Sequence, residues 1–578
     1  MSAVPGLIGL LVSIGLVVLI VVLIGSRAQS HSPATGAATG AQQVRQFFQH
    51  LVLYGLVLVA ALGLDGLFVE LLGPSGEQLG PGTHLARSLA FTIVGLPLAA
   101  ALGMLTRRRH RTDPFERQSV MWALHVTAGA ITGLIGTMVA LHNLFTMVLG
   151  VGEFDAASLT SLLVWGGLWG LYWVLSKRAL SPGQSQPHVL LGSLIGLLTA
   201  VSGFVSLLSL SIDTVLLPSI ALAGADDFIR AGAVFVTGSL TWIWYWGLNG
   251  LGSKRGILWH VLVLPIGVGG GLMMAVISAS IAVWRVATWL VGDRLGETPA
   301  DHFSGIGSTI AVGVAGLLVW LYHRSVLAGA EKERTEVHRV HEYLVSAIGL
   351  AAAAYGVGTL IVALIETVTP GVDLGISDLN TLLGAITLLA VGAPLWVYHW
   401  DRCQKAAAAD PVAELNSPTR RIYLMASFGL AGVAAVIALL VVVYVLFVDV
   451  VDGSVSAGTV RSMRYGLGVL AATAAVSAYH GVVQRADRAT GVIAARRAQR
   501  RRTVVLIGAA DDELAKLITD EKTTALEAWQ STTEAAPWDH EAVLEVLHTH
   551  PEQNLVVLGA PDGGFYVIPV TRGSVMKN

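Results

Sequence analysis

Cysteine is nearly absent from this chain, and charged residues are scarce. Cys403 is the one cysteine among 578 residues, so neither a disulfide framework nor a thiolate metal site is available. Charged residues make up 13% of the chain, against roughly 25% in an ordinary soluble domain. The composition therefore excludes a disulfide-stapled fold and departs from that of a soluble protein.

Apolar residues fill the place of the missing charges. They make up 54% of the chain, and the mean hydropathy is +0.68. A helix needs about 20 consecutive apolar residues to cross a bilayer, and about thirteen such stretches precede residue 484. The sequence predicts an all-α polytopic membrane protein followed by a small cytoplasmic α/β domain. Residues 1–25 lack the basic start of a signal peptide and are predicted to be a retained membrane helix, with a Ser-, Gly- and Ala-rich flexible linker over residues 26–43.

A recurring signature indicates that the membrane region was built by repetition. Trp-Leu-Tyr-His ends one long apolar stretch at His323, and Trp-Val-Tyr-His ends another 76 residues later at His399. Six two-helix units are predicted over residues 44–483, at 44–105, 119–176, 188–252, 256–323, 339–399 and 420–483. We interpret the aromatic and histidine residues that close the units as an anchor belt at the cytoplasmic headgroups: Tyr172, Trp173, Tyr245, Trp246, Trp320, Tyr322, His323, Trp396, Tyr398, His399, Trp400, Tyr479 and His480.

Charge is distributed with opposite signs at the two ends of the units. Arginine and lysine predominate in the connections between units, whereas acidic residues predominate in the loops within units. The positive-inside rule then puts the N-terminus outside and the C-terminus in the cytoplasm. The basic linker at residues 484–502 is also a candidate for binding anionic lipid headgroups, through Arg485, Arg488, Arg496, Arg497, Arg500, Arg501 and Arg502.

The units resemble a known but uncharacterised family. An Arg-led start at Arg339–Tyr343 or Arg420–Tyr423, with the closing run Pro394–Trp400, is similar to a bacterial family of paired-helix membrane domains of unknown function. The resemblance is best in units five and six, fair in four, weak in two and three, and nearly absent from the closing end of unit one. It implies a fold unit and an inner-membrane location, and it carries no catalytic residues.

Ionisable residues at membrane depth are the first candidates for a functional site, because their insertion is costly. Most of them fall toward the outer ends of first helices, and Arg285 occupies the comparable region of unit four. If the first helices formed an inner ring, Asp65 and Arg285 could pair inside an acidic vestibule that attracts cations. The alternative is that these residues reach headgroup water. The candidate intramembrane polar site comprises Asp65, Asp213, Arg285, Glu366, Asp449, His125 and His142.

Two further kinds of site, a haem site and an aromatic cage, have simpler explanations. His125 and His260 lie at similar depth and could ligate haem axially, but nothing in the sequence places their helices side by side, so we predict no cofactor and no metal. The tryptophans at 165, 169, 173, 242, 244 and 246 could form an aromatic cage for a cationic or lipid-like ligand. An interfacial belt with helix packing accounts for them more simply.

After Arg502 the chain changes to the pattern of a soluble domain, over residues 503–578. Strands are predicted at Thr503–Ile507, Leu555–Leu558 and Phe565–Val570, and helices at Asp511–Thr519 and His540–His548. The domain is acidic, which argues against nucleic acid as a partner.

No nucleophile–base pair, metal triad or nucleotide loop is recognisable, so the sequence does not predict an enzyme. The first hypothesis is permeation or transport of an ion or small molecule through the helical bundle. The alternative is a non-catalytic scaffold or sensor that binds lipid or a membrane protein partner and uses the C-terminal domain as a cytoplasmic regulatory module. The lipid bilayer itself is the one partner that every hypothesis requires.

Overall fold

The computed structural model describes residues 40–72, 83–152, 156–217, 224–294, 296–328, 334–371, 377–500, 502–520, 524–531, 536–550 and 553–570. The predicted first helix at 1–25, most of the linker at 26–43, and Arg501 lie outside these residues. The chain forms two compact units, residues 1–400 with 438–472 and residues 401–437 with 473–578.

Long helices make up the described membrane region and pair as six hairpins. Hairpin one is α1 and α2, two is α4 and α5, three is α6 and α7, four is α8 with α9 and α11, five is α12 and α13, and six is α15 and α16. Their bounds are α1 Gly40–Leu72, α2 Thr83–Thr112, α3 Pro114–Arg117, α4 Val120–Val148, α5 Ala156–Ala179, α6 Pro182–Leu216, α7 Ala225–Trp242, α8 Ile257–Val261, α9 Gly271–Val291, α10 Pro299–His302, α11 Ile306–Ala328, α12 Glu336–Val368, α13 Asp378–Ala409, α14 Pro411–Asn416, α15 Pro418–Val451 and α16 Ala457–Arg500.

Eleven helices among the described residues are long and apolar enough to cross a membrane, which indicates a membrane protein. The first helices begin at recognisable signals. Ser119 caps α4 by accepting from the Trp122 amide, and Ser181 forms a capping box with Gln184 before α6, where Pro182 occupies the first helical position.

Proline and glycine occur together in the first helix of hairpin four, where Pro265 is followed by three successive glycines, and the backbone there forms a π-helix. Residues Leu262–Gly270 form this wider turn between α8 and α9, because proline has no amide to continue the α-helical ladder. A second π-helix, Ile243–Gly250, continues α7. The first helix of hairpin four is therefore a continuous span from Ile257 to Val291, rather than a broken one.

Glycines set the distance between the two helices of a hairpin. A Cβ added at Gly133, Gly196, Gly271 or Gly349 would lie 2.5 to 2.7 Å from the backbone nitrogen of a tryptophan in the partner helix. Those tryptophans are Trp169, Trp242, Trp320 and Trp396. Backbone contact this close requires residues without a side chain. The helix faces that contain Gly133 and Gly349 are thus the faces on which the two helices of a hairpin pack.

Successive hairpins interlock, because each hairpin contacts the one before it in the same way. Within residues 1–400 and 438–472, the second helix of each hairpin packs beside the first helix of the preceding hairpin: α5 lies on α1, α7 on α4, and α11 on α6. The same relation joins α13 to α9, through the Trp284 indole nitrogen that donates to the Asn380 carbonyl at 2.9 Å. It joins α16 to α12, where Gly468 contacts Gly358.

The C-terminal region forms a four-stranded sheet with its helices. The elements are β1 Arg502–Gly508, α17 Asp512–Asp520, β2 Thr524–Gln530, α18 His540–Thr549, β3 Asn554–Gly559 and β4 Phe565–Val570, and the strand order is β2-β1-β3-β4. Strand β1 is parallel to β2 and β3, and β4 is antiparallel to β3. Leu514, Ile518, Val543 and Leu547 of the two helices pack against Val504 and Leu555 of the sheet. The sequence analysis missed β2.

The basic segment at 484–502 differs from its predicted linker. Helix α16 runs without interruption from Ala457 to Arg500. Arg485 and Arg488 are exposed on it, and α16 thus carries the basic run of Arg496, Arg497 and Arg500 to the start of β1 at Arg502.

Candidate functional site

The acidic residues near the C-terminal ends of first helices accept hydrogen bonds, most of them from the neighbouring hairpin. Asp65 of hairpin one accepts from the Ser161 hydroxyl at 2.7 Å and from the Trp165 indole at 3.3 Å, both in the second helix of hairpin two. Asp213 of hairpin three accepts at 3.2 Å from the Gly307 amide, at the start of the second helix of hairpin four. Each carboxylate therefore ties one hairpin to the next.

Hairpins five and six are joined in the same way. The buried Glu366 accepts from the Arg464 guanidinium at 2.7 Å, and its backbone carbonyl accepts from Arg461 at 2.9 Å. Asp449 belongs to the last hairpin, which has no successor, and it accepts from Thr459 at the start of the second helix of its own hairpin. These hydrogen bonds explain why carboxylates occur at these positions, and no bound ligand is needed to explain them.

The structure does not bring Asp65 and Arg285 together. Arg285 donates to the backbone carbonyls of His302, at 2.9 Å, and Ser304 within hairpin four. His142 of hairpin two has Arg230 of hairpin three as an electrostatic neighbour. The intramembrane pair of Asp65 and Arg285 was therefore wrong. Asp65 is bound by side chains of hairpin two, and Arg285 by backbone carbonyls of its own hairpin.

The aromatic and histidine residues that close the hairpins are mostly packed between helices. Within this group Tyr172, Tyr245, Trp246, His323, Trp400 and His480 are buried, whereas Tyr398 and Tyr479 are 59% and 43% exposed. A headgroup anchor has to face lipid and water, so the anchor-belt interpretation does not fit the buried members and stays a prediction for the exposed ones. The buried members form contacts within and between hairpins.

One buried contact recurs as a histidine–tyrosine pair. The His188 Nε2 lies 3.0 Å from the Tyr245 hydroxyl, and the His188 Nδ1 lies 3.2 Å from the Ser176 hydroxyl. The Trp169 indole donates to the same Tyr245 oxygen at 2.8 Å. The chain of four side chains joins hairpins two and three.

The six tryptophans of hairpins two and three fill space and leave no open cage. The ring centre of Trp173 lies 6.1 Å from that of Trp169 and 5.6 Å from that of Trp244, and both pairs of rings are tilted. The Trp246 indole donates to the Tyr322 hydroxyl at 2.8 Å, across the same spacing of 76 residues that separates Trp169 from Tyr245. These rings join successive second helices.

An apolar groove of about 890 Å³ lies between hairpins one and two. This volume falls in the range of small-molecule sites. Its floor includes the buried Leu53, Ala60 and Ala61 of α1, while Leu96 and Leu171 at its sides are exposed. Small residues make the space: a Cβ at Gly103 or Gly167 would meet nothing within 4 Å. The groove is thus buried on one side and open on the other.

One end of the groove is strongly basic. The groove is lined by Arg107 and Arg111 of α2, Arg117 at the end of α3, and Arg178 near the end of α5, and none of its described lining residues is acidic. Arg117 donates to the carbonyl of Arg178 at 2.9 Å. The guanidinium groups of Arg107, Arg111 and Arg178 make no hydrogen bond or ion pair with the described residues.

Imidazole and indole rings cluster between the basic end and the apolar channel. The ring centre of His50 lies 6.3 Å from that of His110 and 5.6 Å from that of His125. The Trp122 ring lies 4.6 Å from His110 and 5.5 Å from His50. His125 also contacts the Tyr172 hydroxyl at 3.0 Å. His110, Trp122, His125 and Tyr172 line the groove.

This cluster does not fit haem. Two histidines that ligate one iron must leave a clear plane for the porphyrin between them. The Trp122 ring stands beside the line from His50 to His110, in the space that the plane would need. His260, the other histidine of the haem hypothesis, lies in hairpin four, where its ring nitrogen bonds the Gly256 carbonyl. Among the described residues, no three potential ligands converge as a metal site.

Sequence reasoning missed the groove because its arginines were assigned to topology alone. One signal was present. Hairpin one closes with Arg107, His110 and Arg111, where other hairpins carry the aromatic signature.

Comparison with known proteins finds a family model that matches two parts of the chain. Two segments, residues 46–175 and 339–475, match the model of Domain of unknown function (DUF5671). The resemblance to an uncharacterised family is confirmed. The first DUF5671 segment covers most of hairpins one and two, including nearly all of the groove, and the second covers hairpin five and much of hairpin six. No curated protein and no solved structure matches the chain.

The position of the DUF5671 segments corrects one detail of the sequence analysis. Hairpins one and two match the family model, although the aromatic signature is weak in hairpin two and nearly absent from the closing end of hairpin one. Hairpin four, where the signature is fair, lies between the two matched segments. The first matched segment spans four long helices, so the match does not depend on how hairpin one closes.

Proposed function

We propose that this protein is a non-enzymatic, multi-pass inner-membrane protein that binds an amphiphile in the groove between hairpins one and two. The observation that carries the proposal is the groove itself: an apolar channel of about 890 Å³ with a cluster of arginines at one end. An amphiphile has the matching division into an apolar tail and a polar head.

The dimensions of the groove suit a molecule that lies in one leaflet. Its lining on α2 runs from Leu96 to Arg111, which corresponds to about 22 Å along a helix. Half of a bilayer's hydrocarbon core is about 15 Å thick. A tail can therefore extend along the channel while the head stays at the arginines.

The charge of the connections between hairpins bears on which side of the membrane the site faces. The positive-inside rule assigns the connections between hairpins to the cytoplasm, so the arginines would lie at the cytoplasmic headgroups and the head of the bound amphiphile with them. In this arrangement about thirteen helices span the membrane, the N-terminus is outside, and the C-terminal α/β domain is cytoplasmic. The domain is then placed to report binding as a regulatory or docking module.

Permeation receives less support than binding. The transport hypothesis depended on outer carboxylates that are free to attract a substrate, but Asp65, Asp213 and Glu366 each accept hydrogen bonds from the following hairpin. Outward transfer of the amphiphile itself is the form of transport that the groove still allows.

Mass spectrometry of the full-length protein, purified in mild detergent, tests the proposal. We expect a stoichiometric amphiphile to be retained. Gly167→Phe should displace it, because the new ring enters the groove without meeting backbone. Gly170→Phe is the matched control: it lies one turn away on α5, also has open space at its Cβ, and is not among the lining residues.

Equal retention by the wild type and both variants would contradict a site in the groove. Loss in both variants would also contradict it, because the effect would then follow from any bulky residue on α5. Incorporation into liposomes separates binding from transport: movement of a labelled amphiphile between leaflets that Gly167→Phe abolishes would make the protein a transporter of its ligand.

A further inference from the structure

The basic end of the groove has more positive charge than its surroundings neutralise. Arg45 pairs with the buried Glu116, Arg109 donates to Gln49, and Arg117 donates to backbone carbonyls. Arg107, Arg111 and Arg178 have no such partner among the described residues. Three guanidinium groups thus border one groove and have only solvent or a ligand to interact with.

Their positions converge from two hairpins. Arg107 and Arg111 are four residues apart, so both occur on the same face of α2. Arg178 approaches from the end of α5, beside Arg117, which donates to its carbonyl. Arginine from several directions is the arrangement that binds phosphate, since the planar fork donates two parallel hydrogen bonds.

A second observation also points to a ligand at this end. The indole nitrogen of Trp122 and the Nε2 of His110 are buried and make no hydrogen bond to the described residues. Buried polar atoms are almost always paired in folded proteins. Both side chains line the groove, at the point where the oxygens that link the head and tail of a lipid would lie.

We propose that the bound amphiphile is an anionic phospholipid, with its phosphate held by Arg107, Arg111 and Arg178 and its acyl chain in the channel. The inference rests on the proposed function and goes further by naming the ligand class. A neutral or zwitterionic lipid would leave the guanidinium charge uncompensated. A free phosphate ion would leave the apolar channel without a function.

Lipid exchange in nanodiscs, read by native mass spectrometry, is the test. The full-length protein would be offered phosphatidic acid, phosphatidylglycerol and phosphatidylcholine of identical acyl chains. We expect the two anionic lipids to be preferred over phosphatidylcholine by at least about tenfold, since each basic residue near a membrane surface contributes appreciably to anion binding. The triple variant Arg107→Gln/Arg111→Gln/Arg178→Gln should bring this ratio close to one.

Two controls identify the site. Arg108→Gln removes a charge from the same helix but not from the groove lining, and Arg485→Gln/Arg488→Gln removes charge from the exposed basic part of α16. Neither should alter the ratio. An unchanged melting temperature of the triple variant shows that it remains folded, as expected for guanidinium groups that make no hydrogen bond or ion pair within the part of the chain that the structure describes.

The outcomes separate this inference from the proposed function. Retention of an amphiphile that Gly167→Phe displaces, but with no preference for anionic lipid, would overturn the phospholipid assignment and keep the groove. Loss of the preference in Arg485→Gln/Arg488→Gln instead of the triple variant would also overturn it. So would competition by millimolar inorganic phosphate alone. Failure of Gly167→Phe to displace any amphiphile would contradict the proposed function itself.

Discussion

The Nε2 of His125 lies 3.0 Å from the hydroxyl oxygen of Tyr172, across the two helices of hairpin two. His188 and Tyr245 repeat the contact at the same distance in hairpin three. In hairpin six the two residue types exchange helices, with Tyr423 on the first helix and His480 on the second, 3.5 Å apart. A buried histidine–tyrosine contact between the two helices therefore recurs in three of these hairpins.

Tyr245→Phe should destabilise the protein by about 1 to 3 kcal/mol, because it leaves the Trp169 indole and His188 without their shared oxygen. A double-mutant cycle with His188→Ala should give a coupling energy of about 0.5 to 1.5 kcal/mol, the range for buried hydrogen bonds in membrane proteins. Chemical unfolding in detergent measures both values. Tyr355→Phe is the control, since Tyr355 is 70% exposed. Additive effects of the two substitutions would show that the contact contributes no stability.

Asp65→Ala should cost about 1 to 3 kcal/mol of stability, because Ser161 and Trp165 lose their acceptor. Combined with Ser161→Ala, its effect should be less than additive. Combined with Arg285→Ala, the two effects should add within about 0.5 kcal/mol, as for sites that share no partner. Thermal unfolding of the singles and doubles provides the values. A strong coupling between Asp65 and Arg285 would restore the intramembrane pair and contradict the interlocking of hairpins one and two.

Gly196→Ala should destabilise hairpin three by about 1 to 3 kcal/mol, since its Cβ would lie 2.5 Å from the Trp242 backbone nitrogen and force the helices apart. Gly170→Ala is the matched substitution in α5, where a Cβ meets nothing within 4 Å, and it should be neutral or slightly stabilising through helix propensity. Melting temperatures of the two variants in the same detergent decide the matter. Similar temperatures would remove glycine packing as the cause of the close approach.

The C-terminal domain contains an ion pair that titrates. The His540 Nε2 lies 2.6 Å from Asp511, and this hydrogen bond raises the pKa of His540 above 6.5. The Leu514 amide, followed by His540, lowers the pKa of Asp511 below 3.8. The stability from His540 is thus fully present below pH 6.5 and lost as pH rises through its folded pKa. That from Asp511 is present above pH 3.8 and lost as pH falls through its folded pKa.

Histidine hydrogen–deuterium exchange read by mass spectrometry measures this pKa in the full-length protein. We expect His540 to have a raised pKa in the wild type, and Asp511→Asn to lower it, because the hydrogen bond to the carboxylate is lost. An equal pKa of His540 in the wild type and in Asp511→Asn would mean that the pair does not form.

The helices of the hairpins and most strands of the C-terminal domain could be predicted from the sequence. Hairpins one to four end within about seven residues of their predicted limits, since a long apolar run bounded by charges is a local property of the chain. The last helices of hairpins five and six continue past their predicted ends, to Ala409 and Arg500. The strand β2 was missed because Thr524–Gln530 mixes alanine, glutamate and tryptophan and lacks a β-branched run.

The candidate site shows where local reasoning stops. Asp65 was recognised as costly at membrane depth, but its partners lie 96 and 100 residues further along the chain, and only the interlocking of the hairpins brings them together. Trp246 and Tyr245 were assigned to the headgroup region by their chemistry, yet both are buried, because hairpin two packs on Tyr245 and hairpin four packs on Trp246.

The sequence by itself determined the class of the protein, the limits of its hairpins and the opposite charge of its two ends, since length, hydropathy and charge act through the bilayer on each segment separately. The tertiary structure decided which helices meet. Placing α5 of hairpin two against α1 of hairpin one covers the carboxylate of Asp65 and leaves a groove where Gly103 and Gly167 lack side chains. Space between helices depends on the positions of several backbones at once, which no local pattern of residues specifies.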